Sequence, residues 1–227
     1  MSGVIDHKAE AARAFLALQS GGIAIIPNDV GYAAVASHYD ALKRIFDTKK
    51  RAPSKLNAMI GDKGLHQRLH SCSTRAREIV IAITESYDLP LGVIAPADFN
   101  DPFLAELDSR VTNASTLEGT LLMLMNAGQF HHEICQLSNA ANMPIFGSSA
   151  NVSLHGTKFE VDQIEQEILS IADVVVDYGV LKYKPYACSS TLLDVEAMRI
   201  CRKGVAYESI VWIMKRHFGI DVEQTLV

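Results

Sequence analysis

A tight run of cations, Lys49, Lys50 and Arg51 with Lys55 close behind, follows an apolar-patterned stretch that ends at Thr48. Far downstream, Phe146–Ser153 reads FGSSANVS, small residues with hydroxyl and amide side chains directly after an apolar run. Taken alone, the basic run is equally consistent with a solvated helix end complementing the helix dipole. Paired with a small-residue turn, it has the chemistry of an anion site. Arginine offers a planar fork and lysine a compact charge for a phosphate, and a backbone-lined turn offers N–H groups.

The elements needed to position these groups can be read in order. His7–Gln19 carries Ala11, Ala14, Phe15 and Leu18 at helical spacing and stops at Gly21-Gly22. Ile23–Ile26 is an apolar run ending at Pro27, which predicts a buried strand, and a second strand is expected over 32–37. Asp40 is expected to cap a helix reaching Thr48, with Leu42, Ile45 and Phe46 facing inward. Strands are expected over 56–60, 91–95, 120–125, 144–147 and 173–176, and helices over 63–70, 74–87 (capped by Ser73), 130–141 and 161–171. Residues 96–102 read as a loop and 181–186 as a basic, aromatic loop suited to a lid. Residues 191–195 and 198–201 read as a hairpin, and Tyr207–Phe218 as a helix ending at Gly219.

This alternation predicts an α/β (α+β) fold, a mixed sheet with helices packed on it. At 227 residues, 48% hydrophobic and 21% charged, the chain is sized for one domain, with a polar tail after the last helix. No apolar run approaches the length of a membrane span and the N-terminus lacks a signal-peptide core, so a cytoplasmic protein is expected. A net charge of −5 argues against a protein that coats nucleic acid generically. Cys72, Cys135, Cys188 and Cys201 are widely spaced, so reduced and mostly buried thiols are expected. His66/His70 and His131/His132 lack a third ligand or a catalytic glutamate and read as solvated helix faces.

The motifs also come in a telling order: Pro27-Asn28-Asp29-Val30-Gly31-Tyr32-Ala33, Lys49-x-Arg51, Ser149-x-Asn151 with Ser153, Ser190-Thr191-x-x-Asp194 and Arg202-x-Gly204. In order and spacing they resemble the YrdC-like family, the threonylcarbamoyl-adenylate synthases and their relatives, over roughly residues 10–205. The resemblance implies a twisted YrdC/RibB-like sheet with an open concave nucleotide-binding face, in the short single-domain form. It implies a nucleotidyltransferase that uses ATP, with Mg²⁺ arriving on the nucleotide and no metal ligand from protein side chains. Lys49 and Arg51 take the catalytic role by that resemblance. Lys49, Arg51, Lys55, Asn151 and Arg202 would bind the nucleotide, and Asn28, Tyr32, Ser149 and Ser190 the second substrate. Asp194 reads as structural. Implied partners are a small amine or carbamate, L-threonine among them, with a weak RNA contact and hand-off of the product to a tRNA-modifying transferase.

The departures cluster on the amino-acid side. Asn28 and Val30 replace two threonines, Ala33 a glycine and Ile60 a histidine, Leu154 stands where a glycine is expected, and an arginine expected near Met125 is missing. A different adenylated substrate, or a non-catalytic nucleotide- or RNA-binding module of the same fold, is therefore the alternative reading.

Overall fold

The computed structural model describes residues 5–52 and 55–222. The first four residues of the N-terminal stretch, Pro53 and Ser54 within the basic segment, and the end of the polar tail lie outside the described residues.

Helix α1 (His7–Gln19) begins where Asp6 accepts from the Ala9 N–H at 3.0 Å and buries Ala11, Ala14, Phe15 and Leu18, the face its spacing predicts. The chain then runs through β1 (Ala24–Ile26), β2 (Ala33–Ala36), α2 (Tyr39–Thr48), β3 (Ala58–Ile60), α3 (Lys63–Leu69) and α4 (Thr74–Ile81). Ser73 caps α4 through the Ala76 N–H, as expected. His38, and not Asp40, holds the N-cap position of α2, and Phe46 is only half-buried, because the inward face is taken by Ala41, Leu42 and Ile45. The helix expected to reach residue 87 widens into a π turn at Ala82–Ser86, where the Thr84 hydroxyl bonds the Val80 carbonyl at 2.8 Å.

Next come β4 (Leu91–Pro96), α5 (Pro102–Ala105), α6 (Ser109–Asn113), β5 (Thr116–Leu117), β6 (Thr120–Met125), α7 (Gln129–Ala140) and β7 (Phe146–Ser149). The short elements α5 and α6 are capped by Asp101 and Asp108. Residues 161–171 do not form one helix. A 3₁₀ turn at Val161–Gln163 breaks at Ile164, whose extended backbone precedes α8 (Gln166–Leu169). Strands β8 (Val174–Val175), β9 (Leu192–Asp194) and β10 (Arg199–Arg202) and helix α9 (Tyr207–Phe218) complete the described chain. Asp194 accepts from the Ala197 N–H at 3.0 Å and so holds the β9–β10 turn.

The strands form one mixed ten-stranded sheet in the order β10-β9-β4-β6-β3-β7-β2-β1-β8, with β5 paired to β6. On one face α2, α3, α4 and α9 cover a core containing Leu65, Ile79, Met123, Phe146 and Ile210. On the other, α1 and α7 cover Ala24, Ile26, Ala33, Val35 and Ile60. That second cover ends at Leu124 of the next strand, β6, which packs against it. Along β6 every second residue is buried, and Leu122 and Leu124 on the opposite face are half-buried. No described helix is long and apolar enough to cross a membrane.

The histidines expected on solvated faces turn inward. His66 and His70 are fully buried with their Nδ1 atoms 2.9 Å apart, and His70 Nε2 lies 3.2 Å from the Leu121 carbonyl. His131 packs under β6 with Nε2 3.1 Å from the Leu124 carbonyl, whereas its neighbour His132 is exposed. Ring apolarity plus one satisfied nitrogen makes a neutral histidine acceptable in a core. Among the cysteines, all free, Cys135 is buried, Cys72 and Cys188 are half-buried and Cys201 is exposed, so the expectation of mostly buried thiols does not hold.

Burial pushes the pKa of His66 and His131 down to about 4 and that of His70 to about 3. The unfolded chain then binds more protons than the native one, so stability is full above about pH 6.5 and is lost as pH falls towards 4. Denaturant midpoints should fall between pH 6.5 and 5, at a cost on the order of 1–2 kcal/mol per histidine, before most carboxylates titrate. A flat midpoint across that window would remove the assignment of three neutral buried imidazoles.

Candidate functional site

Helix α2 ends by placing Lys49 at its C-cap, where the side chain is 1% exposed and Nζ donates to the Ser149 carbonyl at the end of β7. The Lys49 carbonyl in turn accepts from the Ser153 N–H at 3.0 Å. Lys50 adopts a positive φ of 50°, which turns the chain out of the helix and separates the directions of its neighbours. Its own ammonium faces outward, 3.6 Å from Glu167. Arg51 is half-buried and donates through Nη2 to the Leu56 carbonyl at 2.5 Å and through Nε to the Lys55 carbonyl at 3.4 Å. Lys55 itself is exposed.

The third cation comes from the far end of the sheet. A register shift in β10 between Ile200 and Arg202 re-aims the Arg202 side chain back over β9. Its Nη2 and Nε lie 2.8 and 3.2 Å from the Ser190 carbonyl, with the Ser190 hydroxyl 3.4 Å from Nη2. Gly204 is required beside it, because a Cβ there would lie 2.3 Å from the Ser189 carbonyl oxygen. Thr191 Oγ1 accepts from the Gly204 N–H at 3.1 Å and donates to the Val205 carbonyl at 2.9 Å. Ser190-Thr191 and Arg202-x-Gly204 are thus one hydrogen-bonded unit.

Electrostatics joins the two ends. Burial, and then repulsion from Arg51, pushes the Lys49 ammonium down to about pKa 7, against a weaker opposing pull from Glu165. Burial, and then repulsion from Arg202, lowers Arg51. Arg202 keeps an open side to solvent, yet protein crowds the rest of its guanidinium and lowers it too. The cations therefore form a series in which Lys49 feels Arg51 and Arg51 feels Arg202, graded from the buried Lys49 through Arg51 to the exposed Arg202. An anion entering between them would relieve repulsion at each.

Two buried amides of the matched motifs have unused capacity. Asn28 is 2% and Asn151 6% exposed, and the Oδ1 of each lacks a partner within the protein. Asn151 Nδ2 is used on the Val152 carbonyl at 2.6 Å. Tyr32 is placed differently: its hydroxyl lies 3.0 Å from the Gly179 carbonyl and 3.2 Å from Asp177 Oδ1 and accepts from the Tyr178 N–H. It anchors the turn after β8. Gly31, at φ 122°, lets the turn before β2 pass Thr157 in the loop after β7, whose Cγ2 would sit 2.2 Å from a Cβ.

Glu165 was not singled out by any sequence pattern. Burial raises its pKa, but Lys158, His155 and backbone N–H groups, including that of Val152, outweigh it and hold it at about 2. It closes the Ser149–Lys158 loop in place of the expected glycine, with Leu154 fully exposed at φ 72°. Segment 181–186 is tied at Asp29, through the Tyr183 N–H at 3.1 Å and Lys182 at 3.8 Å, and by a Lys184–Glu160 ion pair. The missing arginine also needs relocating. Met125 is 1% exposed on the core side of β6, so Leu122 and Leu124 are the positions of that strand that look towards the site. Strict alternation along Thr120–Met125 was the signal that could have identified them.

ATP and Mg²⁺, implied by resemblance, fit this donor set unequally. The cation gradient suits a polyphosphate and the unpartnered amide oxygens a donor such as an amine or hydroxyl of the ligand, whereas the described residues contain no group of three or more metal-ligating side chains. Two hollows of about 420 and 310 Å³ have other linings, around His7 and Gln129 and around Tyr87 and Trp212.

The sequence family Sua5/YciO/YrdC, described as telomere recombination, matches residues 16–204. Among curated proteins none matches the chain. Among solved structures, a hypothetical protein of Streptococcus mutans UA159, smu.1377c, superposes with a TM-score of 0.72 at 18% identity over 92% of this chain and 91% of that one. Sua5 of P. abyssi complexed with L-threonine gives 0.70 at 18% identity, covering 92% of this chain and 59% of that chain. YciO of E. coli gives 0.66 at 14% identity, covering 89% and 92%. At these identities the likeness is one of fold.

Since Lys49 titrates near neutrality, inorganic triphosphate should bind with proton uptake. Its affinity should fall by up to about tenfold per unit as pH rises above 7. Calorimetry at pH 7 and 8.5, in buffers of different ionisation enthalpy, reads both effects. Lys49→Met should abolish the pH dependence, and equal affinity at both pH values in the unmodified protein would contradict the assignment.

Proposed function

The chain belongs to the Sua5/YciO/YrdC family, and from that premise we propose that it is a nucleotidyltransferase resembling L-threonylcarbamoyladenylate synthase. The observation that carries the proposal is the succession of Lys49, Arg51 and Arg202, graded in burial and with repulsion outweighing the pull of Glu165 on Lys49, beside the strand ends that hold Ser149 and Ser190.

In this reading the cations bind the phosphates of ATP. Bicarbonate or carbon dioxide combines with the amine of the second substrate, L-threonine in the fullest form of the reading. A carbamate oxygen attacks the α-phosphorus, the bond to the β-phosphate oxygen breaks, and pyrophosphate leaves. Mg²⁺, arriving with the nucleotide, would neutralise phosphate charge. Lys49 and Arg51 stabilise charge that develops on the transferring group and the departing pyrophosphate, and Arg202 closes the open side. Asn28 and Asn151 supply amide groups whose capacity the protein itself does not use. Positioning supplies the remainder, since the reaction needs little side-chain acid or base chemistry. The product would pass to a tRNA-modifying transferase, and the setting for that hand-off is the cytoplasm.

A narrower form, in which a different amine or carbamate is adenylated, is favoured by the uncharged Leu122 and Leu124 on the strand beside the cations. A non-catalytic module holding nucleotide or RNA is the remaining alternative. It would bind ATP without releasing pyrophosphate.

Arg51→Ala should weaken MgATP binding at least about tenfold, the scale of one lost charge-assisted contact, with the unfolding midpoint little changed. The unmodified protein should release pyrophosphate only when bicarbonate and an amine are both present. Unchanged ATP affinity in a folded Arg51→Ala protein would refute the site. Binding without pyrophosphate from any amine would leave the module reading.

A further inference from the structure

Where α1 and α7 stop covering the sheet, three neighbouring strands present an apolar floor. Leu192, Gly92 and Leu124 form one row across β9, β4 and β6, and Asp194, Ile94 and Leu122 the next. Ile94, Leu122 and Leu192 are half-buried and belong to neither hydrophobic core, so packing of the fold does not account for them. They gather over Gly92: a Cβ there would meet Leu192 Cδ2 at 2.2 Å, Leu122 Cδ1 at 3.3 Å and the Ser190 hydroxyl at 3.3 Å. The floor therefore abuts the serine whose carbonyl is held by Arg202. Three strands at ordinary spacing make it ~10 Å wide.

Its charge pattern is lopsided. Lys49, Arg51 and Arg202 stand at the cationic side, while the one ionisable group in the two rows, Asp194, is engaged by the Ala197 N–H and by Arg199. A reactant that fits both halves has an anionic end and an uncharged, aliphatic end. A second substrate gripped by its carboxylate would need a cation on β6, and there the chain has Leu122 and Leu124.

We infer that this floor holds the aliphatic chain of the amine carbamoylated in the proposed reaction, so that the substrate class is apolar amino acids or alkylamines. The inference rests on the proposed adenylation, but the floor can be tested apart from it. Burial of each methylene on such a surface strengthens binding about fourfold.

The test uses the full chain with isotope-labelled isoleucine and leucine methyl groups. MgATP is titrated first, followed by L-alanine, L-norvaline, L-norleucine, n-hexylamine, L-threonine and L-aspartate, each with and without MgATP. The methyl signals of Ile94, Leu122 and Leu192 should move with norleucine and hexylamine. Affinity should climb about fourfold per methylene from alanine to norleucine, and threonine and aspartate should bind more weakly. Leu122→Asn should flatten that climb.

The inference is overturned if no amine moves these methyl groups, if chain length has no effect, or if MgATP alone moves them, which would give the floor to the nucleoside. A chain-length climb without any MgATP binding would retain the floor and remove the adenylation reading.

Discussion

Removing an ammonium group from water costs several kcal/mol unless acceptors replace its hydration, and among the described residues Lys49 has the Ser149 carbonyl in exchange. Arg51 adds repulsion to that burial. This arrangement fixes much else. The end of α2 must meet the end of β7, which requires β2 and β7 to pair with Ala33 opposite Ser149. Gly147 has to be a glycine, since a Cβ would lie 2.2 Å from the Ala34 carbonyl oxygen and force those strands apart. The unfavourable contact is tolerated because the strands around it, β1, β2 and the start of β7, are well buried, and proteins store such costs where a ligand relieves them.

The second end of the site is built by a different device. Arg202 lies on an edge strand, where an arginine ordinarily serves only to keep the edge soluble. The shift in register between Ile200 and Arg202, together with the bare Gly204 beside Ser189 and Ser190, folds the guanidinium inward against the Ser190 carbonyl. A backbone irregularity thus turns a solvating charge into a site charge. Glu165 plays the corresponding part for the loop after β7. By gathering Lys158, His155 and the Val152 N–H, it sets the course of the chain past Asn151.

The mixed sheet completes the design by being covered unevenly. Two helices shield β1, β2 and β3 on one face and reach Leu124 of β6, and no described helix covers the same face of β4 and β9. That leaves aliphatic side chains beside cations, a combination a monomeric fold has no packing reason to retain.

Much of this could be read from the sequence. Periodicity and punctuation located α1 and α9 to the residue and β6 as well, because their burial patterns are governed by local spacing: 3.6 for the helices and 2 for the strand. The ordered motifs gave the family and the mixed α/β fold. Elements shorter than a useful period, such as α5, α6 and β5, drew no assignment from spacing, and Ile164 broke a helix whose spacing looked continuous. Only the tertiary structure decided which charges meet. Lys50 and Lys55 are the same residue type as Lys49, but one positive φ and an exposed position send them to solvent. Likewise His66 and His131 enter the core, and Leu122 and Leu124 in place of Met125 face the site. Residue type determines what a side chain can do; direction and burial depend on contacts between segments far apart in the chain, such as Lys49 with Ser149 and Arg51 with Arg202, which local spacing does not encode.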